Sequence, residues 1–528
     1  MRGEITSGDE VKRKLNEEWN HLYAIMVELC IKLGRYNKAI EYADRSKARN
    51  LVELIATRDA YSQGEIPPEI RQRLQQLRQA IDDEKHRLAQ QEEKNRDYRH
   101  ITQLREELQE KSPYKPLEFQ QIQSLLDPET AILEWYILDN KFLTFILTPK
   151  TLHFWKSSPE DIKNLIDWTN AYLGDYQTNK TQWQNCLPQR LETLAKILHL
   201  DDILHTLFQQ FPTCKKLILI PHRYLHLFPI HALPTQFVVS PSGLTASPKG
   251  VTTNLIDLFP KGVSYAPSCQ ILQQAQNRSR PHFNQLFAIQ NPTEDLHFTD
   301  LEVEAIQNYF NQPHILKHKK AEKTALNFKN AHCTHFSCHG YFNFNDPLKS
   351  ALILTNSEFP PPPPQDDQTR YLPLQNGNLL DLGKCLTLED ILQLDLTKCR
   401  LVTLSACETG ITDFTSSSDE YIGLPSGFML AGSPNVVSSL WAVNDLSTAL
   451  LMIRLYQNLK NGETVSLALK HAQTWLRDAT AEGLQQWSSQ LTLRPTYRRQ
   501  FRQFSRMVST EKPFASPYYW AGFCAIGS

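Results

Sequence analysis

No apolar run in the 528-residue chain approaches the ~20 residues that a membrane-spanning helix needs. The opening "MRGEITSGDEVKRKLNEEW" lacks an apolar core, so a signal peptide is not expected. Neither sign of charge is in excess. The 56 Lys and Arg against 57 Asp and Glu leave a formal net charge of -1, which recommends neither nucleic acid nor an anionic membrane as partner. The ten cysteines form no C-x-x-C pair, and without an export signal they read as reduced thiols of a cytoplasmic protein. Nucleotide hydrolysis has no G-x-x-x-x-G-K-[ST] loop to stand on. "GLPSG" (423–427) has its serine one place too late for a nucleophile elbow. Nothing implies a cofactor.

What is present fits a globular protein, with 41% hydrophobic and 21% charged residues and length for about three domains of roughly 150 residues. Residues 11–60 suggest two helices around a turn, with Leu33, Tyr36, Ala39, Ile40 and Ala43 at helical spacing. This piece resembles one tetratricopeptide unit, with Trp19, Leu22 and Gly34 as first helix and turn. One unit cannot bury its own face. It is read as a final repeat feeding a longer helix, the other reading being a cap on a neighbouring domain. Residues 69–112 are charge-rich, with Leu74, Leu77, Ile81, Leu88, Ile101, Leu104 and Leu108 at helical spacing. Glu84, Gln91 and Asn95 interrupt that seam, which favours a hairpin packed on its own chain over an oligomerising coil. Pro113 and Pro116 end it. The expected division is a helical pair at 1–60, a charged helical segment at 61–128, and two parts of an α/β domain at 129–262 and 263–528.

From residue 131 the texture becomes that of strands. "AILEWYIL", "KFLTFILT" and "TLHFWKSS" predict an antiparallel meander. Helices are expected near 159–174 and 188–210, then a buried strand at "KLILIPH" (216–222). After about residue 260, "GVSYAPS", "NQLFAIQNP", "CTHFSCHG", "SALILTN", "RLVTLSAC", "NVVSSLWAV" and "WAGFCAIG" read as strands. The intervening helices are expected at 300–310, 322–329, 420–431, 446–459 and 464–477. Such alternation predicts a mainly parallel sheet with helices on both faces, whose chemistry collects at the carboxyl ends of the strands. The proline-rich stretch 357–378 is expected as an exposed flap and the Ser- and acid-rich loop 411–421 as mobile surface.

Two strand ends share one grammar: "THFSCHG" (334–340) places His339 before a glycine, and "LVTLSACETG" (401–410) places Cys407 just past an apolar run. A thiol attacks as thiolate, and an imidazole can take its proton and later return it to a leaving amine. Glycine after the histidine lets backbone approach a substrate, so the amides of Gly340 and Cys407 are candidates to face an oxyanion. A structural cysteine at a strand end is the bland alternative. Cys333, His335, Cys338 and His339 do not read as a metal site, because strand residues alternate sides. His222, His226 and His231 are expected to line a turn packed beneath the site. Glu408 is read as a loop hydrogen-bonding residue rather than a base.

"HFSCHG" and "SACETG", followed by "GLPSGFMLAGSPNVVSSLWAVNDLSTALLMIRLYQNL" and "SPYYWAGFCAIG", resemble the CHAT domain, a caspase-like family associated with HetF and tetratricopeptide repeats. "HRYLHLFPIHALP" and "VSYAPS" match its front half, so the likeness spans roughly 130–528. It implies a caspase-like fold related to separases and a cysteine endopeptidase acting on a protein or peptide. Its dyad would fall on His339 and Cys407, and the helical segment would be the route to a regulatory partner. By the same likeness "LWAVND" suggests a pocket for a basic side chain at Asp445, with Trp441 beside it. Asp445 is equally placed to cap the helix that follows. The alternative function is an idle protease fold acting as a scaffold.

Overall fold

The computed structural model describes residues 10–48, 51–52, 55, 67–89, 97, 99–111, 115–240, 243–246, 253–278, 280–343, 346–361, 370–374, 377–411, 421–499 and 511–528. Two helices, α1 (Glu10–Lys32) and α2 (Tyr36–Ser46), open the chain. A second antiparallel pair follows, α3 (Pro68–Ala89) and α4 (Arg99–Lys111), joined by a two-pronged Arg73–Glu107 contact at 2.8 Å.

The centre of the molecule is one sheet of eleven strands. They are β1 (Thr130–Ile137), β2 (Phe142–Leu147), β3 (Leu152–Lys156), β4 (Lys216–Ile220), β5 (Val263–Tyr265), β6 (Gln285–Gln290), β7 (Gln312–Lys317), β8 (Cys333–Ser337), β9 (Leu401–Ser405), β10 (Asn435–Ser439) and β11 (Phe523–Gly527). Their order across the sheet is β7-β6-β8-β9-β10-β11-β5-β4-β1-β2-β3. Neighbours are parallel except at β10/β11, β1/β2 and β2/β3. The meander at β1–β3 and the mainly parallel remainder are the architecture the sequence predicts.

Helices cover both faces. Alternate residues of β1 divide between two cores. Ala131, Leu133 and Trp135 join Leu165, Leu187 and Ile203 of the helices α5 (Pro159–Thr178), α6 (Lys180–Ile197) and α7 (Leu200–Gln210). Ile132 and Tyr136 join Val27, Ala39, Ile40 and Ala43 of α1 and α2. A period of two along the strand makes this division, and it explains why β1 is buried at every position. The opening helical pair therefore lies on the sheet itself.

Three elements differ from expectation. Residues 322–329 form only a short 3-10 turn at Lys323–Ala325. β7 lies in a stretch left unassigned in the sequence; it is an edge strand, the place in a sheet where a proline such as Pro313 is tolerated. "SALILTN" contributes just Ala351–Leu352, to a small antiparallel sheet with Gly340–Tyr341 and Leu386–Thr387. Glu358–Phe359 and Tyr371–Pro373 of the proline-rich stretch pair with Leu379–Asp381 just beyond it into another small sheet; residues 362–369 and 375–376 of the stretch lie outside the described residues, as do 412–420 of the loop after Cys407.

Candidate active site

β8 and β9 are adjacent and parallel, and every residue of each is buried. Their register ends with Ser337 opposite Ser405. His339 and Cys407 thus both come two residues after the last paired position, on strands about 4.8 Å apart. The backbones then stay in contact. A Cβ on Gly340 would lie 2.4 Å from the Cys407 carbonyl oxygen, a distance only glycine tolerates.

The turn after β9 is tied to the end of β10. Ser439 Oγ donates to the Ala406 carbonyl at 2.5 Å, Gly410 N–H to the Ser439 carbonyl at 2.6 Å and Glu408 N–H to the Trp441 carbonyl at 3.3 Å. Glu408 takes a left-handed conformation, φ 59°, which costs a non-glycine residue about 1 kcal/mol or more. Its carboxylate accepts from the Tyr176 hydroxyl at 2.5 Å and lies 3.5 Å from Lys180 Nζ. Tyr176 accepts in turn from the Ala442 N–H at 2.9 Å. The α5–α6 hairpin, far upstream in sequence, therefore clamps the turn that carries the thiol.

Burial pushes the partly buried Cys407 thiol above its ordinary value, and the Glu408 charge adds to this, against an opposing Val443 N–H bond and the Lys180 charge. The thiol therefore stays protonated at neutral pH and needs a base. His339 is partly exposed, and its Nε2 lies 3.0 Å from each carboxylate oxygen of Asp295. Asp295 stands in the loop after β6, the other neighbour of β8. The sequence reading missed it. The acidic pair Glu294–Asp295 just past a strand end was the available signal, though nothing in the sequence chooses between the two.

Asp445 and Trp441 are placed differently from the two strand-end residues. Trp441 is 1% exposed; its ring N–H donates to the Tyr518 carbonyl at 3.2 Å and it packs edge-on against Trp183 at 5.5 Å. Asp445 is the first residue of α8 (Asp445–Lys460), whose cap is Asn444, the side chain of which accepts from Ser447 N–H at 3.0 Å. The Asp445 carboxylate accepts from the Phe298 N–H at 2.9 Å, and burial, with the Glu302 charge adding, raises it despite that bond. His222, His226 and His231 are core residues, all buried, and burial lowers His226 and His231 to about 3.

One set of potential metal ligands occurs among the described residues, the buried Asp44, Glu134 and Cys269. Lys47 Nζ already lies 3.0 Å from Glu134 and 2.8 Å from the Trp135 carbonyl, so the positive charge there is the protein's own.

The fold and strand-end chemistry define an α/β protein with a thiol and an imidazole at neighbouring carboxyl ends of parallel strands. The CHAT domain family model matches residues 189–528, and the chain belongs to that family. Among solved structures it is similar to the Saccharomyces cerevisiae separase–securin complex, with a TM-score of 0.40 and 12% identity over 67% of this chain and 29% of that one. It is also similar to the Arg-specific cysteine proteinase gingipain R, at 0.35 and 8% over 62% and 66%. The complex of Porphyromonas gingivalis RgpB pro- and mature domains gives 0.32 and 10% over 70% and 76%. The chain spans under a third of the length of the separase it matches. No curated protein matches it.

Proposed function

We propose that the protein is a cysteine endopeptidase of the caspase and separase type, cleaving a protein or peptide with His339 and Cys407. The observation that carries this is the shared register: both side chains follow the last paired residues of adjacent parallel strands, with Gly340 backed against Cys407. Because burial raises the thiol, the imidazole acts as general base. The thiol proton moves to the ring as sulfur bonds to the scissile carbonyl carbon, and the charge on the carbonyl oxygen faces the amides of Gly340 and Cys407. The imidazolium then returns the proton to the leaving amine, and water cleaves the thioester, regenerating the thiol.

A basic side chain before the scissile bond would pair with Asp445, though that carboxylate already accepts a backbone N–H from Phe298. Regulation would come from a protein bound at the tetratricopeptide-like helical segment. In support, Leu22, Ile25 and Leu29 of α1 and Leu33 just past its end stand 45–58% exposed, a stripe of the kind that marks interaction surfaces. All ten cysteines are unpaired, which fits a reducing cytoplasm. A second reading, an idle scaffold, is favoured by the raised thiol and by the backbone beside it, where Ala442 N–H is taken by Tyr176 and Ala442 carbonyl accepts from Tyr518 at 3.2 Å.

Labelling with a library of electrophilic peptides decides between them. The wild type should react at one site, lost in Cys407→Ala and slowed at least a hundredfold in His339→Ala. A wild type that reacts no faster than Cys407→Ala with every peptide would end the peptidase reading.

A further inference from the structure

His339 has two ring nitrogens with separate duties. Nε2 lies 3.0 Å from both oxygens of Asp295. A carboxylate only accepts, so Nε2 carries the proton of the neutral ring and Nδ1 holds the free lone pair. In the dyad the lone-pair nitrogen is the one that can receive a proton from sulfur.

Asp295 is held in place rather than merely nearby. The Thr293 hydroxyl donates to its Oδ1 at 2.5 Å. Its loop is braced across its width, since the Asn291 side-chain amide donates to the Leu296 carbonyl at 2.9 Å and accepts from the Leu296 N–H at 3.2 Å. The Asn291 N–H donates to the Ser337 carbonyl at 3.0 Å, which fixes the loop to the strand that delivers His339. At the far end, the Phe298 N–H is bound by Asp445. Two non-glycine residues in left-handed conformations, Asn291 at φ 47° and Glu294 at φ 62°, sit within this stretch, and such strain persists only where surrounding contacts impose it. The neighbouring acids point elsewhere: Asp300 pairs with His318 at 3.0 Å, and Glu294 faces the same ring at 3.9 Å. Partial desolvation raises the Asp295 carboxyl, but the Thr293 hydroxyl and His339 together bring it below its ordinary value, so it stays ionised at neutral pH.

We infer that Asp295 is a positioning residue. It locks His339 in the Nε2–H tautomer and fixes the ring plane, leaving Nδ1 as the proton acceptor for the Cys407 thiol. In the same step it stabilises the imidazolium that forms. The third contributor thus comes from the strand on the opposite side of β8 from the nucleophile, and the site draws on three consecutive strand ends, β6, β8 and β9. This rests on the peptidase reading for its chemistry, but the tautomer lock itself does not.

The test pairs a spectroscopic and a kinetic readout on the full chain. With 15N-labelled histidine at pH 8, His339 of the wild type should show a single Nε2–H tautomer, whereas Asp295→Ala should show a mixture. Asp295 is 62% exposed at its side chain, so the variant should keep the wild-type melting temperature. Labelling by the best electrophilic peptide should fall at least tenfold in Asp295→Ala through the maximal rate rather than the half-saturating concentration, with part of it restored in Asp295→Glu. An unchanged tautomer in Asp295→Ala, with labelling within twofold of wild type, would overturn the inference. Should the wild type fail to label at all, the peptidase reading falls, and the tautomer comparison alone upholds or overturns the Asp295 contact.

Discussion

Gly340 and Cys407 follow different strands of the central sheet, yet a methyl group on the first would stand 2.4 Å from the carbonyl oxygen of the second and 2.9 Å from the Thr409 side chain. The obstruction is backbone, which cannot swing aside as a side-chain tip could. Gly340→Ala must therefore push the two strand ends apart. We expect a loss of about 1–3 kcal/mol, the usual range for overpacking, read from the urea midpoint. Peptide labelling of Cys407 should drop more than tenfold, because the dyad and the proposed oxyanion amides separate together.

Tyr176 makes a second prediction. Its hydroxyl donates to Glu408 and accepts from Ala442 N–H, and Glu408 keeps a left-handed backbone directly after the nucleophile. Tyr176→Phe removes the hydroxyl and leaves the Ala442 N–H without that acceptor. The expected cost is about 1–3 kcal/mol, the penalty for stranding a buried polar group. Labelling should slow as the turn relaxes. Chemical denaturation alongside labelling kinetics separates the two effects, and unchanged values for both would remove the clamp from the account.

These contacts mark the boundary of what the sequence could disclose. β9 was legible as a short, mostly apolar run with a glycine a few residues beyond its end, and β8 by the same ending before Gly340. The expected helix at 322–329 failed because Phe328, buried, and Leu326, half-buried, reach the core from irregular backbone, and a window that short cannot tell the two apart. Asp295, Tyr176 and Lys180 were invisible for another reason. Their partners lie 44, 232 and 228 positions away, and no local periodicity encodes a contact at that range. Trp441 shows the converse: its place in a motif singled it out, while its contacts with Trp183 and Tyr518, residues far away in the chain, were not legible.

The junction of the helical pair with the sheet gives a third prediction. Lys47 and Glu134 are both fully buried, with Nζ 3.0 Å from Oε1. Burial pushes the Glu134 carboxyl up, opposed by Lys47 and reinforced by Asp44. Removing one partner strands the other charge, so Lys47→Met should cost about 3–5 kcal/mol. Lys47→Met combined with Glu134→Leu should recover most of that, since an apolar pair of similar volume avoids the desolvation cost. A double-mutant cycle in urea measures the coupling. If the double variant were as unstable as the single one, packing rather than charge would govern the junction.

Acid should loosen the fold through its buried histidines. His226 and His231 are held neutral, with burial lowering each to about 3, whereas an unfolded histidine titrates near 6.5. Between those values the unfolded chain binds more protons than the native one, so stability rises with pH across the window from about 3 to about 6.5 and is fully present above it. The histidine contribution should be flat from pH 8 to 7 and fall below 6.5; since the raised Glu134 carboxyl acts in the opposite sense there, it is read as the difference between wild type and a histidine variant. His226 is the cleaner probe, because its Nε2 has no hydrogen-bond partner among the described residues and its ring packs 4.8 Å from Tyr421. His226→Phe keeps an aromatic ring there and deletes one titration, so the slope of stability against pH between 4 and 6 should fall by up to one proton's worth. A slope unchanged by His226→Phe would mean that His226 is charged or hydrated in the folded protein, contrary to its buried position.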